Sequence, residues 1–265
     1  MTNRVSTLIG SPNRRKLLVP FVTVGYPTFA MSRQLAETAI ESGADMLELG
    51  MPFSDPLADG PQVQLSSQVA LQHGTGLGDL FELTAELRRG TDIPILAMGY
   101  YNPVLSRGLD RFFGEAKSAG IDGLIIPDLP PEEAGPFLDQ AGKHDIASVF
   151  LVAPTSTAMR VRRIEQRCTD FVYAVTVTGV TGAGRSFDDQ TDRYLSSLRK
   201  QLRKPFVAGF GVSSSASAKR LCRHADGVVI GSALIRLVEE NGRAERAVGK
   251  VGDFLKSVRE SLNGQ

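Results

Sequence analysis

Short apolar runs alternate with longer amphipathic segments along most of the chain. We identify eight runs as strands, because they are rich in Val, Ile and Leu and show little polar alternation, as is typical of strands buried on both faces. These predicted strands cover residues 17–24, 46–49, 93–98, 123–126, 147–152, 171–175, 206–208 and 227–230. Predicted helices cover residues 29–42, 75–89, 110–119, 131–140, 157–167, 190–201, 213–223 and 242–262.

This alternation predicts an α/β fold with an all-parallel sheet, because a helix returns the chain to the starting edge of each new strand. Eight repeats in 265 residues, with no linker rich in Pro or Ser, favour a single-domain (β/α)8 TIM barrel over an open sheet. Residues 1–15 precede the first strand and are weakly apolar at Val5, Leu8 and Ile9. Two alternatives are open for this segment: it covers the bottom of the barrel, or it frays.

In such barrels the reacting groups lie at the carboxyl ends of the strands. Glu48 stands in the second predicted strand between Leu47 and Leu49. Since side chains alternate along a strand, Glu48 points into the barrel if its neighbours face the helices. Apolar walls disfavour the ionised carboxylate and raise its pKa toward the range of a general acid or base. The alternative is a structural glutamate paired with a cation, but no Lys or Arg stands at a neighbouring strand end.

A second carboxylate, Asp59, lies eleven positions further on in a proline-rich loop. The sequence leaves two roles open for it. Either Asp59 takes part in catalysis, or it caps a helix that starts near Gln62, since Asp is a preferred N-cap residue.

Three glycine-rich loops favour anion binding at the same end of the barrel. G-F-G-V-S-S-S at 209–215 follows the seventh strand, G-S-A-L at 231–234 follows the eighth, and T-G-V-T-G-A-G at 178–184 follows the sixth. The first two place Gly and Ser where a helix begins, so that backbone N–H groups and the positive end of the helix dipole face an anion. One such loop is often only a turn or cap. Three on one face predict a phosphate site built without cations.

Composition argues against several other classes of function. With 30 Lys and Arg against 29 Asp and Glu, the charge of +1 gives no reason to expect nucleic acid or a membrane surface as a partner. The two cysteines and three histidines lack metal-ligand spacing, which argues against a metal site. None of the eight lysines falls at the carboxyl end of a predicted strand, which argues against a Schiff-base aldolase. No apolar run has the length of a signal peptide or a membrane span, so we expect a soluble, cytoplasmic protein. The residues alone predict metal-free acid–base chemistry on a small phosphorylated substrate.

Eight motifs in a fixed order resemble one known family over nearly the whole chain. The longest and most specific is L-E-L-G-M-P-F-S-D-P-L-A-D-G-P at 47–61. The others are P-F-V-T-V-G-Y-P at 20–27, M-G-Y-Y-N-P-V-L at 98–105, P-D-L-P-P-E-E at 127–133, L-V-A-P-T-S-T at 151–157, G-V-T-G-A at 179–183, G-F-G-V-S at 209–213 and G-S-A at 231–233. This set is similar to the tryptophan synthase alpha subunit family. The resemblance implies an eight-stranded barrel that cleaves indole-3-glycerol phosphate to indole and glyceraldehyde 3-phosphate.

The resemblance also implies roles for individual residues. Glu48 matches the catalytic glutamate, whose proposed role is to protonate the indole ring carbon that bears the side chain and then to help remove the hydroxyl proton. Asp59 matches the aspartate that holds the indole N–H and stabilises the positive charge formed by ring protonation. The remaining matches are Phe21, Tyr100, Tyr173, Thr181 and Phe210 for the substrate pocket, with Thr181 on a mobile loop, and Gly182, Gly211, Gly231 and Ser232 for the phosphate.

By the same resemblance the chain itself holds no cofactor, and its partner is a beta subunit that carries pyridoxal phosphate, in an αββα complex. The loop at 52–58 is then expected to face that subunit. The chain departs from many family members at Tyr26, Met51 and residues 177–178, where Asp, Ile or Val, and an arginine are common. Two alternatives stay open: a free-standing lyase that works without the partner, and a catalytically silent phosphate-binding barrel that activates a partner.

Overall fold

In the computed structural model, parallel strands form one continuous sheet at the centre of the molecule. The structure describes residues 3–12, 14–176, 184–209, 211–242 and 244–263. The strands are β1 (Leu17–Thr23), β2 (Leu47–Gly50), β3 (Ile95–Met98), β4 (Gly123–Ile125), β5 (Ala147–Val149), β6 (Leu151–Val152), β7 (Val172–Val175), β8 (Phe206–Gly209) and β9 (Gly227–Ile230). Each of the eight apolar runs contains a strand, because continuous apolar sequence suits a strand that is covered on both faces.

The sheet closes on itself through β5 and β6, which confirms the predicted barrel. The strand order is β5-β4-β3-β2-β1-β9-β8-β7-β6, so β5 and β6 are the two edges. A single residue, Phe150, separates them, and its carbonyl accepts a hydrogen bond from the N–H of Tyr173 at 3.2 Å. The two edges therefore belong to one extended segment, and the nine strands make a barrel of eight. The pairing of β1 with β9, from Leu17 opposite Gly227 onward, joins the two ends of the chain.

Helices cover the outside of the barrel and bury their apolar faces against it. They are α1 (Arg4–Ile9), α2 (Phe29–Glu41), α3 (Pro61–Gln72), α4 (Leu77–Arg88), α5 (Tyr101–Arg107), α6 (Leu109–Ala119), α7 (Gly135–Lys143), α8 (Ala158–Arg167), α9 (Gly184–Gln201), α10 (Ser215–Leu221), α11 (Ser232–Asn241) and α12 (Ala244–Asn263). In α4, for example, Leu80, Leu83 and Leu87 recur at helical spacing and are all buried. No helix in the described part of the chain has both the length and the apolar character needed to cross a membrane.

The helix predictions need correction in two respects. The helix predicted to begin at Pro131 begins at Gly135, because residues 131–133 form a turn in which the N–H of Glu133 donates to the carbonyl of Pro130 at 3.0 Å. Four helices, α1, α3, α5 and α11, were not among the eight predicted, although a helix start near Gln62 was considered. Helices α5 and α11 follow their strands almost directly, and α3 follows β2 after the loop at 51–60, so in each case the sequence looks like a continuation of the loop.

Helix α1 lies against the amino ends of the strands. The Asn3 side-chain amide donates to the carbonyl oxygens of Asp122 at 2.9 Å and Asp145 at 2.8 Å, and the Ser6 hydroxyl donates to the Asp170 carboxylate at 3.0 Å. These three acidic residues stand just before β4, β5 and β7. The opposite end of the barrel, where the strands finish, is therefore left for the loops that carry the candidate site.

Candidate active site

A cavity of about 450 Å³ opens at the carboxyl ends of the strands. Glu48 and Asp59 both line it, together with Gly211, Gly231 and Ser232 from the loops after β8 and β9. The two carboxylates and two of the three predicted glycine loops thus share one cavity, and the third loop, at 178–184, lies almost wholly outside the described residues.

Glu48 occupies the interior face of β2. It pairs in register with Phe21 of β1 and Leu96 of β3, and its side chain is only 1% exposed. Among the described residues, no hydrogen-bond partner reaches either of its carboxyl oxygens. Burial, reinforced by the nearby Asp59 carboxylate, raises the pKa of Glu48 to about 8. The side chain therefore carries a proton at neutral pH and can donate it.

Asp59 is held in the loop after β2 by a tyrosine. The Tyr100 hydroxyl donates to Asp59 Oδ2 at 3.1 Å and accepts from the N–H of Ala58 at 2.9 Å. Burial raises the pKa of Asp59 to about 6, and the hydrogen bond from Tyr100 limits that rise. At neutral pH Asp59 is therefore mostly ionised. Gly60, not Asp59, is the N-cap of α3, so the capping alternative was wrong.

Two neighbouring carboxyl groups thus differ in protonation at the same pH, which is the usual sign of separate acid and base roles. Glu48 can deliver a proton to a reacting atom, and Asp59 can stabilise positive charge or accept an N–H bond. Among the residues that the structure describes, no cluster of His, Cys, Asp and Glu side chains could hold a metal ion.

Aromatic side chains form the apolar walls, and glycines make room for them. Phe21 and Tyr173 both line the cavity. A Cβ atom built at Gly50 would lie 2.5 Å from the Phe21 ring, and one built at Gly209 would lie 2.3 Å from the Tyr173 ring. Any larger residue at either glycine would push an aromatic wall out of place.

Tyr100 is placed differently from the expectation that it forms a wall. It does not line the cavity that contains Glu48 but lies behind Asp59, where its ring stacks on Phe53 with a centroid distance of 4.9 Å. Three other expected site residues, Thr181, Gly182 and Phe210, lie outside the described residues.

The candidate anion site is built from backbone at the start of α11. Gly231 is the N-cap of this helix and has no side chain to satisfy the N–H groups of the first turn. Ser232 is the first helical residue. Gly211, in the loop after β8, has φ of +80°, a conformation that favours glycine.

One charged residue at this cavity was not among the predicted site residues. Arg236 of α11 lines it on the same side as Ser232. The two residues are four positions apart, so they share one face of a helix, but no helix was predicted for residues 232–241. The four-residue spacing was therefore visible in the sequence, but without a predicted helix it did not place Ser232 and Arg236 on one face.

The chain matches the family model described as "Tryptophan synthase alpha chain" over residues 10–262. The chain belongs to the tryptophan synthase alpha chain family. It is 43% identical over 250 residues to the tryptophan synthase alpha chain of Geobacter sulfurreducens, covering 94% of each chain. It is 45% identical over 228 residues to that of Geotalea daltonii, covering 86% of each.

Solved structures of tryptophan synthase agree with this assignment. Subunit alpha from Legionella pneumophila superposes with a TM-score of 0.92 at 32% identity, over 100% of both chains. A chain of the tryptophan synthase complex from Pyrococcus furiosus gives a TM-score of 0.81 at 32% identity, over 93% of this chain and 98% of that one. The resemblance to the tryptophan synthase alpha family is confirmed, and with it the assignment of the chain as a carbon–carbon lyase of tryptophan biosynthesis that cleaves indole-3-glycerol phosphate.

Proposed function

We propose that Glu48 and Asp59 carry out the cleavage of indole-3-glycerol phosphate in the cavity at the carboxyl ends of the strands. The protonated Glu48 donates its proton to the ring carbon that bears the glycerol phosphate chain. The indole nitrogen then carries positive charge, which the Asp59 carboxylate stabilises through the N–H group. Because this charge is absent from the bound substrate, the interaction favours the transition state over the ground state.

The second step regenerates Glu48. As a carboxylate, it removes the proton of the side-chain hydroxyl next to the ring. The electron pair of that O–H bond forms the aldehyde of glyceraldehyde 3-phosphate. The carbon–carbon bond breaks, and its electrons return to the ring to give neutral indole. Glu48 begins and ends the cycle with one proton, so the sequence balances without a cofactor or an added base.

One observation carries this proposal: a buried glutamate with a pKa of about 8 lies in the same cavity as an aspartate with a pKa of about 6. Between pH 6 and pH 8, Glu48 is protonated and Asp59 is ionised, as the two steps require. Phe21 and Tyr173 offer apolar surface for the indole ring, and Gly211, Gly231 and Ser232 offer N–H groups for the phosphate.

The same proposal includes a partner and a location. We expect this chain to hold no cofactor and to bind a pyridoxal-phosphate-dependent beta subunit in an αββα complex in the cytoplasm. In the loop at 51–60, Leu57 is 92% exposed, so its apolar side chain is available to pack against a partner. A tryptophan synthase complex is among the similar structures. A free-standing lyase remains the alternative, and activity of the isolated chain distinguishes the two.

The test measures indole release from indole-3-glycerol phosphate, with and without a beta subunit. We expect release by the wild type, a loss of at least a hundredfold in kcat for Glu48→Gln and Asp59→Asn, and a normal rate for the exposed control Glu133→Gln. Gly211→Asp should raise KM more than it lowers kcat, since it adds bulk and charge to the phosphate site. Wild-type turnover by Glu48→Gln would disprove the acid–base role. Complete inactivity of every form, with or without the partner, would favour the silent barrel.

A further inference from the structure

Helix α11 carries an arginine to the edge of the cavity. Arg236 is exposed to solvent and also lines the cavity that contains Glu48, Asp59 and Ser232. Among the described residues that line this cavity, it is the only one with a positive charge. Its position is therefore accessible from solution and continuous with the candidate anion site.

The geometry of the helix directs this side chain toward the first turn. Ser232 and Arg236 are separated by four residues, or about 6 Å along the helix axis, and lie on the same face. Helical side chains lean toward the amino end of their helix, so the long Arg236 side chain can reach back toward the turn that begins at Ser232. That turn presents N–H groups without a side-chain cap. The guanidinium and these N–H groups can thus hold the same anion.

A cation at this position offsets the negative charge that a phosphate meets in the cavity. Asp59 is mostly ionised at neutral pH, so a phosphate dianion that enters the cavity meets a negative charge. No carboxylate among the described residues lies within ion-pairing distance of Arg236, so none of these residues neutralises its guanidinium. A guanidinium offers two parallel N–H donors to a phosphate, which matches the shape of that group better than a point charge does.

We propose that Arg236 binds the phosphate group of the substrate, together with the backbone of the first turn of α11. This inference rests on the proposed function, because it places the phosphate of that substrate. It differs from the sequence-based prediction of a phosphate site without cations. Arg236 then acts in substrate capture and in the preference for a phosphorylated substrate, and takes no part in the proton transfers of Glu48.

The test compares binding of a charged and a neutral fragment of the reaction. Inhibition by glycerol 3-phosphate and by indole is measured for the wild type, Arg236→Gln, Arg236→Lys and the control Arg246→Gln. Arg246 is an exposed arginine of α12 that does not line the cavity, so the control makes the same change in net charge.

We expect Arg236→Gln to raise the inhibition constant of glycerol 3-phosphate and the KM for substrate about tenfold, as the loss of one charge-assisted hydrogen bond predicts. The inhibition constant of indole and kcat should not change. For Arg236→Lys, the inhibition constant of glycerol 3-phosphate should lie between those of the wild type and Arg236→Gln. The control Arg246→Gln should match the wild type. The affinity of the wild type for glycerol 3-phosphate should also fall more steeply with salt than that of Arg236→Gln.

An unchanged constant for glycerol 3-phosphate in Arg236→Gln would overturn the inference, and so would an equal loss for indole, since that would reflect a change in cavity shape. Fragment binding is also followed by calorimetry, which needs no turnover. A chain that binds glycerol 3-phosphate through Arg236 but releases no indole would therefore disprove the proposed reaction and leave this inference intact.

Discussion

Glu48 should reduce the stability of the fold, by an amount that depends on pH. Its pKa is 4.5 in an unfolded chain and about 8 in the folded protein. Well below pH 4.5 the group is protonated in both states and adds no pH-dependent cost. As pH rises toward 8, the unfolded chain releases the proton while the folded protein keeps it, so unfolding becomes progressively easier. Each pKa step of one corresponds to about 1.4 kcal/mol, so the full cost above pH 8 is of the order of 5 kcal/mol.

The substitution Glu48→Gln removes this cost, because an amide stays neutral at every pH. We expect urea unfolding to give similar free energies for the variant and the wild type near pH 5. Near pH 8 the variant should be more stable by a few kcal/mol, although it no longer cleaves substrate. Glu133→Gln, which changes an exposed glutamate, should show no such gain with pH. If the difference between Glu48→Gln and the wild type is the same at both pH values, the assigned burial of an unpaired carboxyl is wrong.

Three further substitutions test other parts of the structure. Tyr100→Phe removes the hydrogen bond that restrains the pKa of Asp59, so the acidic limb of the kcat/KM profile, expected near pH 6, should move upward; an unmoved limb would contradict the contact. Gly209→Ala should displace the Tyr173 ring and lower both kcat/KM and the melting temperature, and wild-type values would refute that packing. Asn3→Ala should lower the free energy of unfolding by about 1–3 kcal/mol with kcat/KM unchanged, since it removes the cap of α1 and its bonds to the barrel; impaired catalysis at normal stability would argue against a purely structural role.

Sequence pattern predicted the barrel well because its strands are covered on both faces. All seven residues of β1 are buried, and a continuous apolar run of this kind is typical of a parallel strand covered on both faces. Helix starts were harder to predict. Pro131 followed by Glu132 and Glu133 has the composition of a first helical turn, yet the N–H of Glu133 bonds to Pro130 in a turn. Local composition cannot distinguish these two uses of the same residues.

The candidate site was predictable where it depends on neighbours in sequence. Alternation around Glu48 indicated an inward carboxyl group. The partner of Asp59 was not predictable as such, because Tyr100 lies 41 positions away and meets it only in the closed barrel. Arg236 was missed because its importance depends on a helix that the apolar pattern did not reveal. Contacts between distant positions and the directions of exposed side chains are set by tertiary packing.

The pairing of β1 with β9 has a consequence during protein synthesis. Glu48 leaves the ribosome early, while Ser232 and the strand that ends at Ile230 emerge near the end of translation. Until then one edge of β1 has no partner, and the cavity has no closed wall. A message cut short before Gly227 therefore yields an inactive product with an open strand edge, which is a hazard for aggregation, and never a partly active enzyme.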